Sequence, residues 1–166
     1  SISGSDTTWD EVIIKNIIVD EPNLDYAGFF AVLDSARIIN IEMQGALIRG
    51  AQYVGTMAAQ SSNSRIRNVN IKSSEEDASF YPSLPPTTLL STHYVSGGMI
   101  GISTKDTVFK SNIAAKFVGD AVYSGGGVGH GTSTVIQEVT GYNDSRLRGL
   151  YTGGLAGYLN GNAPVQ

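Results

Sequence analysis

The sequence predicts an all-β protein, a parallel β-helix-like β-solenoid of about four to five rungs that forms one domain over residues 1–166. Two observations lead to this fold class. A tyrosine followed closely by glycine or a glycine pair recurs five times, at Tyr26, Tyr53, Tyr94, Tyr123 and Tyr151. Glycine accounts for 20 of 166 residues and charged residues for only 16%, a composition typical of β-rich repeats. Recurrence at this spacing indicates stacked structural units.

The main strand of each repeat is an alternating apolar stretch. Residues 37–43 align position by position with residues 65–71, and residues 14–19 fit the same frame one repeat earlier. Residues 108–113 and 135–140 are weaker copies. The β-branched side chains and the near period of two predict strands. A lone strand pair is marginal in water, so we expect these units to bury their apolar sides by stacking in register.

Stacking in register predicts rows of identical side chains along the solenoid. Ile38 would lie on Ile66 in an inner wall. Asn16, Asn40 and Asn68 occupy one frame position in three successive repeats, which predicts a ladder of hydrogen-bonded amides. A polar binding stripe is the alternative for these asparagines. The tyrosines are likewise expected to pack on one another, with a partly exposed stacking stripe as the alternative.

A short apolar segment that ends in glycine completes each repeat. It occurs at residues 47–50, 117–119 and 147–149, a few residues before a tyrosine. Each rung is therefore expected to contain a short strand, a turn, a longer strand and a glycine corner. Glycine suits such corners because they require either a positive φ or a close backbone approach.

Net charge and cysteine content restrict the classes of function. A formal net charge of −4 and a pI near 5.0 argue against a nucleic-acid or anionic-membrane surface. The absence of cysteine excludes disulfides, thiol catalysis and thiolate metal sites. No apolar run approaches the roughly 18 residues that a membrane helix requires, so no membrane insertion is expected. The start of the sequence has neither Met nor the pattern of a signal peptide, and we expect the chain to be part of a longer protein.

Catalytic motifs are incomplete. The segment around His130 is similar to the histidine motif of subtilisin-like proteases, but the matching serine motif is missing, and His130 is interpreted as a turn residue. The acidic cluster Glu75, Glu76 and Asp77 is interpreted as a solvated loop, with weak calcium binding as the alternative. The sequence therefore predicts no catalytic residue, no cofactor and no metal site.

One long insertion interrupts the repeats. Residues 72–93 are proline-rich and carry the apolar side chains Phe80, Tyr81, Leu89 and Leu90. Long loops in compact domains are usually functional or disordered. These four side chains either fold back over the solenoid or form an interface with a neighbouring domain or partner, and the insertion is the predicted place for an interface.

The glycine phrases also resemble a known repeat family. Gly154-Leu155-Ala156-Gly157 spells the G-L-x-G signature of GLUG repeats, and residues 98–101 and 126–129 are close variants. The resemblance covers most of residues 9–166. It implies a large secreted or wall-attached bacterial protein, adhesin-like or the non-catalytic part of an immunoglobulin-A-type metallopeptidase, and it supplies no catalytic residue.

These observations predict a non-catalytic structural or adhesive module of a bacterial extracellular or cell-surface protein. It would act as a stiff spacer or a ligand-contacting scaffold, with neighbouring domains of its own polypeptide and a host protein or glycan as partners. The alternative is a carbohydrate-active solenoid, a lyase or hydrolase, or the exosite region of a secreted protease. That alternative requires carboxylates from adjacent rungs to converge in a cleft.

Overall fold

A computed structural model describes residues 11–72, 88–91, 94–118, 121–142 and 150–161. The described residues form strands and turns and contain no helix, so none of them offers a helix that could cross a membrane. Among these residues, nineteen strands follow one another in five rungs, and equivalent strands of successive rungs pair in parallel. The predicted all-β solenoid is confirmed.

The strands recur in the same order in each rung. The first and second rungs contain β1 (Val12–Lys15), β2 (Ile18–Asp20), β3 (Tyr26–Ala27), β4 (Phe30–Asp34), β5 (Arg37–Gln44), β6 (Leu47–Gly50), β7 (Tyr53–Gly55) and β8 (Ala58–Ser62). The third and fourth contain β9 (Arg65–Lys72), β10 (Thr88–Ser91), β11 (Val95–Gly97), β12 (Ile100–Thr104), β13 (Thr107–Ala114), β14 (Lys116–Val118), β15 (Tyr123–Gly125) and β16 (Val128–Thr132). The fifth contains β17 (Val135–Tyr142), β18 (Tyr151–Gly153) and β19 (Ala156–Asn160).

Four parallel sheets run along the axis. Sheet A has the order β1-β5-β9-β13-β17, and sheet B has the order β2-β6-β10-β14. Sheet C has the order β3-β7-β11-β15-β18, and sheet D has the order β4-β8-β12-β16-β19. Parallel strands lie about 4.8 Å apart, so equivalent residues of successive rungs form rows at that spacing.

The core lies inside the ring of sheets. Ile38 pairs with Ile66 and Met43 with Ile71, as the sequence predicts. The largest fully buried side chains come from all four sheets and their corners, and include Met43, Ile48, Met57, Ile66 and Met99. Each rung thus contributes apolar side chains to one continuous core, which a single rung could not form.

Each of the four longer strands of sheet A contains one left-handed residue. Asn40, Asn68, Lys110 and Glu138 have φ between 48° and 56° and occupy the same row. The left-handed conformation costs most L-residues roughly 1–2 kcal/mol, and asparagine tolerates it best. The amide of Asn68 donates to Oδ1 of Asn40 at 2.9 Å, which confirms the predicted ladder for this pair.

The predicted frame of the first repeat is wrong. Val12 pairs with Ile41 and Lys15 with Gln44, so Asn16 falls beside Gly45 rather than Asn40. Asn16 and Gly45 both have positive φ, at 56° and 59°. Asn16 is a left-handed residue that follows β1, whereas Asn40 and Asn68 are left-handed residues within β5 and β9. The sequence alone does not distinguish these two positions.

The predicted insertion is too long. Lys72 ends β9, and Thr88–Ser91 form β10 of sheet B, where Leu89 pairs with Ile48 and Phe117. Paired residues of β9 and β13 are farther apart in the sequence than paired residues of β5 and β9. The extra residues fall within 73–87, which lie outside the described residues, as do residues 147–149. Segments 47–50 and 116–118 form strands of sheet B.

Candidate functional site

A row of tyrosines follows the outer surface of sheet C. Tyr26 pairs with Tyr53, and Tyr123 with Tyr151, in the parallel register. Their ring centroids lie 4.9 Å and 5.0 Å apart, with interplanar angles of 24° and 12°. This spacing follows from the strand spacing of about 4.8 Å. The tyrosine phrase is therefore a stacked ladder, as the sequence predicts.

Tyr94 joins the ladder out of register. Val95, not Tyr94, pairs with Tyr53 and Tyr123, and the Val95 side chain is buried. The Tyr94 ring nevertheless contacts Tyr53 at 5.7 Å and Tyr123 at 5.8 Å, edge to face in both cases. Its side chain is 43% exposed. The expectation of one tyrosine position in all five rungs is thus wrong by one residue here, yet the row of rings continues.

A second aromatic pair lies beside the ladder on sheet D. His130 and Tyr158 pair in register and stack with centroids 5.1 Å apart. His130 meets Tyr123 edge to face at 5.1 Å, and Tyr158 contacts Tyr151 at 5.9 Å. His130 lies in the middle of β16, so its interpretation as a turn residue is wrong. His130 and Tyr158 lie one repeat apart in the sequence, and this spacing is the signal that could have identified the pair.

The rings of these rows are partly exposed, most of all Tyr94 and the rings at the two ends of the described stack. Carbon atoms in contact lie about 3.5–4.0 Å apart, whereas these nearly parallel rings have centroids 4.9–5.1 Å apart. The rings must therefore be displaced sideways across one another. Tyr26 in the first rung and Tyr151 and Tyr158 in the last are 39%, 48% and 38% exposed. The ladder both stabilises the stack and presents aromatic carbon to solvent.

Three rows of outward side chains make up what we call the C–D face. The first is the tyrosine row: Tyr26, Tyr53, Tyr94, Tyr123 and Tyr151. The second follows sheet D: Val32, Gln60, Ile102, His130 and Tyr158. The third, two residues further along each strand, is Asp34, Ser62, Thr104, Thr132 and Asn160. Asp34 is the only charged side chain among the described residues of these rows, so the face is aromatic and neutral in character.

Burial shifts the pKa of three rings of the C–D face, those of His130, Tyr53 and Tyr123, toward their uncharged forms. Burial lowers the pKa of His130, which keeps the imidazole neutral at pH 7. Burial, together with the neighbouring tyrosines, raises the pKa of Tyr53 and of Tyr123. The hydroxyls of Tyr53 and Tyr123 therefore remain hydrogen-bond donors throughout the physiological pH range.

Glycine lets sheets C and D approach closely beneath this face. A Cβ on Gly97 would lie 1.7 Å from the Ile100 carbonyl oxygen, and one on Gly125 would lie 2.0 Å from that of Val128. Both glycines lack a positive φ. Close backbone approach, and not a positive φ, therefore accounts for glycine at these two positions.

A polar cluster is buried where sheet D meets sheet A. The Asp106 carboxylate accepts hydrogen bonds from the Ser64 backbone N–H at 2.7 Å and from Ser103 Oγ at 2.6 Å. The hydroxyls of Ser103 and Thr134 are hydrogen-bonded at 2.8 Å. Ser64 Oγ in turn accepts the backbone N–H of Ala36 at 3.1 Å. Side chains of one rung thus accept hydrogen bonds from backbone N–H groups of the preceding rung. This buried cluster therefore has a structural role.

Two of the four residues predicted to form an interface belong to a described strand. Phe80 and Tyr81 lie outside the described residues, as does the acidic cluster Glu75–Glu76–Asp77. Leu89 and Leu90 belong to β10, a middle strand of sheet B. No group of three His, Asp or Glu side chains among the described residues could hold a metal ion. Comparison with protein-family models, curated proteins and solved structures gives no match.

Proposed function

We propose that the chain is a non-catalytic structural and adhesive module that works outside a bacterial cell as a stiff, ligand-contacting scaffold. The observation that carries this proposal is the parallel pairing of all four sheets through successive rungs. Its hydrogen bonds point along the axis, and each sheet also contributes to one core. A structure of this kind resists bending and spaces the neighbouring domains of its own polypeptide.

The carboxylates inside and on sheet A support a scaffold rather than a hydrolytic site. Glu42 Oε2 pairs with Lys72 Nζ at 2.5 Å, and Glu138 pairs with Lys110 at 3.8 Å. Asp106 is buried, and its carboxylate accepts a hydrogen bond from the backbone N–H of Ser64. Each of these acids has a structural partner, whereas glycoside hydrolysis requires two carboxyl groups that face a sugar.

The resemblance of residues 98–101, 126–129 and 154–157 to GLUG repeats supports the bacterial and extracellular parts of the proposal. Such repeats occur in large surface proteins, where rigid spacing and adhesion are useful. The described structure adds a physical basis for the last glycine of this motif. At Gly129 and Gly157 a Cβ would lie within 3 Å of backbone atoms of the preceding rung.

Single-molecule pulling tests the scaffold directly. Because the chain has no cysteine, one cysteine added beyond each terminus gives a unique attachment point for a handle. We expect stepwise lengthening as rungs detach, by about 95 Å for each repeat at about 3.4 Å per residue. Continuous extension at low force would contradict a stiff module.

Catalysis is tested on the same protein. Incubation with soluble and insoluble polysaccharides is expected to release no new reducing ends or unsaturated sugars above a heat-denatured control. Turnover that scales with protein concentration would overturn the non-catalytic assignment and favour the carbohydrate-active alternative.

A further inference from the structure

The C–D face combines two chemical features that repeat at the same interval along the axis. One is partly exposed aromatic carbon, in the tyrosine row and in the His130–Tyr158 pair. The other is a row of hydroxyl and amide groups beside it, which includes Thr104, Thr132 and Asn160. Two residues along a strand span about 6.6 Å, so both features lie within reach of one narrow ligand.

We propose that the C–D face binds a neutral linear glycan that lies along the solenoid axis, an inference that rests on the proposed scaffold function and names its ligand. Aromatic rings carry negative charge on their faces, and the C–H bonds on the flat side of a pyranose are weakly positive. Sugar hydroxyls on the ring edges match the side-chain hydroxyls and amides of the third row. Stacking supplies affinity, and the polar row supplies orientation.

The repetition of the face favours a polymer over a single sugar. Aromatic contacts recur from rung to rung at 4.9–5.8 Å in the tyrosine row. A linear glycan also presents one sugar after another along its length. Each additional unit that meets a ring binds as part of the same molecule, so affinity rises steeply with chain length.

Charge favours a neutral glycan over an anionic one. The described residues of the three rows include no lysine or arginine, and Asp34 would repel a carboxylate or sulfate. The outer surface of sheet A differs, because Arg37 and Arg65 occupy one row and Arg67 and Lys110 lie around Phe109. An anionic polymer would therefore prefer sheet A, which makes sheet A an internal control.

Affinity gel electrophoresis tests the proposal with the full chain. The probes are mixed-linkage β-glucan, xyloglucan and galactomannan as neutral polymers, and hyaluronan as an anionic one. We expect retardation by at least one neutral polymer, with apparent affinity that increases from its disaccharide to its hexasaccharide in titration calorimetry. Hyaluronan is expected to cause no retardation that depends on the C–D face.

Substitutions locate the binding surface. Tyr94→Ala and Tyr158→Ala should each weaken binding about tenfold, as expected for loss of a stacking contact worth about 1–1.5 kcal/mol. Tyr94→Phe should retain most of the affinity, because the ring remains. Phe109→Ala is the matched control, an outward aromatic on sheet A, and should bind like the unmodified chain. Unchanged circular dichroism and melting temperature establish that each variant folds.

Four results would overturn the glycan inference. They are binding to none of the neutral polymers, equal loss in Phe109→Ala and Tyr94→Ala, retardation by hyaluronan alone, and concentration-dependent self-association that Tyr94→Ala abolishes. The last result would assign the face to a second copy of the chain. If any of these results is found but the pulling experiment still shows stepwise unfolding, the ligand assignment is wrong and the scaffold assignment is not.

Discussion

The outer surface of sheet A and the C–D face are built on the same strand spacing, but they use it differently. On sheet A, polar groups pair with each other from rung to rung, as in Asn68 with Asn40 and Asn112 with Asn70, each at 2.9 Å. Ion pairs such as Glu42–Lys72 continue this pattern. On the C–D face the repeated groups are rings that stack on one another and remain partly exposed. Regular rows therefore stabilise the stack on one side and present a surface on the other.

The backbones beneath the two surfaces differ as well. Sheet A accommodates a left-handed residue in each of its longer strands. Sheets C and D instead contain glycines whose missing side chains allow backbone to approach backbone. Sheet A should tolerate substitution of its left-handed residues. The glycines where sheet C meets sheet D should not tolerate substitution.

The substitution Gly97→Ala tests the second half of this comparison and has the largest expected effect. A Cβ at Gly97 would lie 1.7 Å from the Ile100 carbonyl oxygen and 2.7 Å from the Gly129 nitrogen. Backbone cannot move aside as a flexible side chain can, so we expect a loss of at least about 4 kcal/mol in the free energy of unfolding. Urea denaturation followed by circular dichroism measures it.

Gly154 provides the matched control in the last rung. A Cβ there would meet no atom within 4 Å, and its φ lies outside the left-handed region. Gly154→Ala is expected to change stability by less than about 0.5 kcal/mol, or to stabilise slightly by restricting the unfolded chain. Equal losses in both variants would show that the close approach of sheets C and D does not determine the cost.

The buried Asp106 lies at the corner between the two surfaces, and its removal has the next largest effect. Asp106→Ala leaves the Ser64 N–H and the Ser103 hydroxyl without their acceptor and creates a cavity, for an expected loss of about 2–4 kcal/mol. Asp106→Asn keeps the acceptor for Ser64 and can donate to Ser103, so it should fold with near-normal stability. Thermal unfolding of both variants distinguishes the two cases.

The pH dependence of stability gives a second measure of Asp106. Burial raises the pKa of its carboxyl above the ordinary value of about 3.9. The folded state therefore holds this proton more tightly than the unfolded chain. Its stabilisation is complete below about pH 3.9 and is lost as pH rises through the folded pKa. Relative to Asp106→Asn, the unmodified chain should lose stability as pH rises above about 4, and parallel profiles would contradict this.

The fold could be predicted from the sequence because its rows repeat at fixed intervals, as Ile38 and Ile66 do. The C–D face could be predicted only in part. The tyrosine ladder has a motif, but Tyr94 lies one residue from its expected position because the buried Val95 takes that place in the register. His130 pairs with Tyr158 one repeat later, and because the two residue types differ, their spacing is the only signal for the pair. Asn16 shows the converse, since identical residues need not share a row.

Glu42→Gln tests the polar network of sheet A and should have a moderate effect. Glu42 is buried, pairs with Lys72 and accepts a hydrogen bond from Gln44 Nε2. Lys72 is more than half exposed, so we expect the loss of the ion pair to cost only about 1 kcal/mol. The ring stacking of the C–D face should not change, which near-ultraviolet circular dichroism can establish.

The free energy of unfolding at acidic pH gives a sharper test of Glu42 than its value at neutral pH. The hydrogen bond from Lys72 lowers the pKa of the Glu42 carboxyl below the ordinary value of about 4.3. Its stabilisation is therefore present above about pH 4.3 and is lost as pH falls through the folded pKa. The difference between the unmodified chain and Glu42→Gln should shrink on acidification, opposite in sense to the difference for Asp106→Asn.

Lys110→Asn sharpens the comparison by extending the amide ladder of sheet A, with the smallest expected effect. Lys110 has φ of 48° in the row of Asn40 and Asn68, and asparagine tolerates this conformation better than lysine. The new amide would also lie one rung from Asn68. We expect a gain of about 0.5–1 kcal/mol, after loss of the exposed pair with Glu138. Lys110→Gly separates the two causes, since it relieves the backbone without adding an amide. If Lys110→Asn is no more stable than Lys110→Gly in urea denaturation, the ladder contributes nothing, and the rows of sheet A owe their regularity to backbone conformation alone.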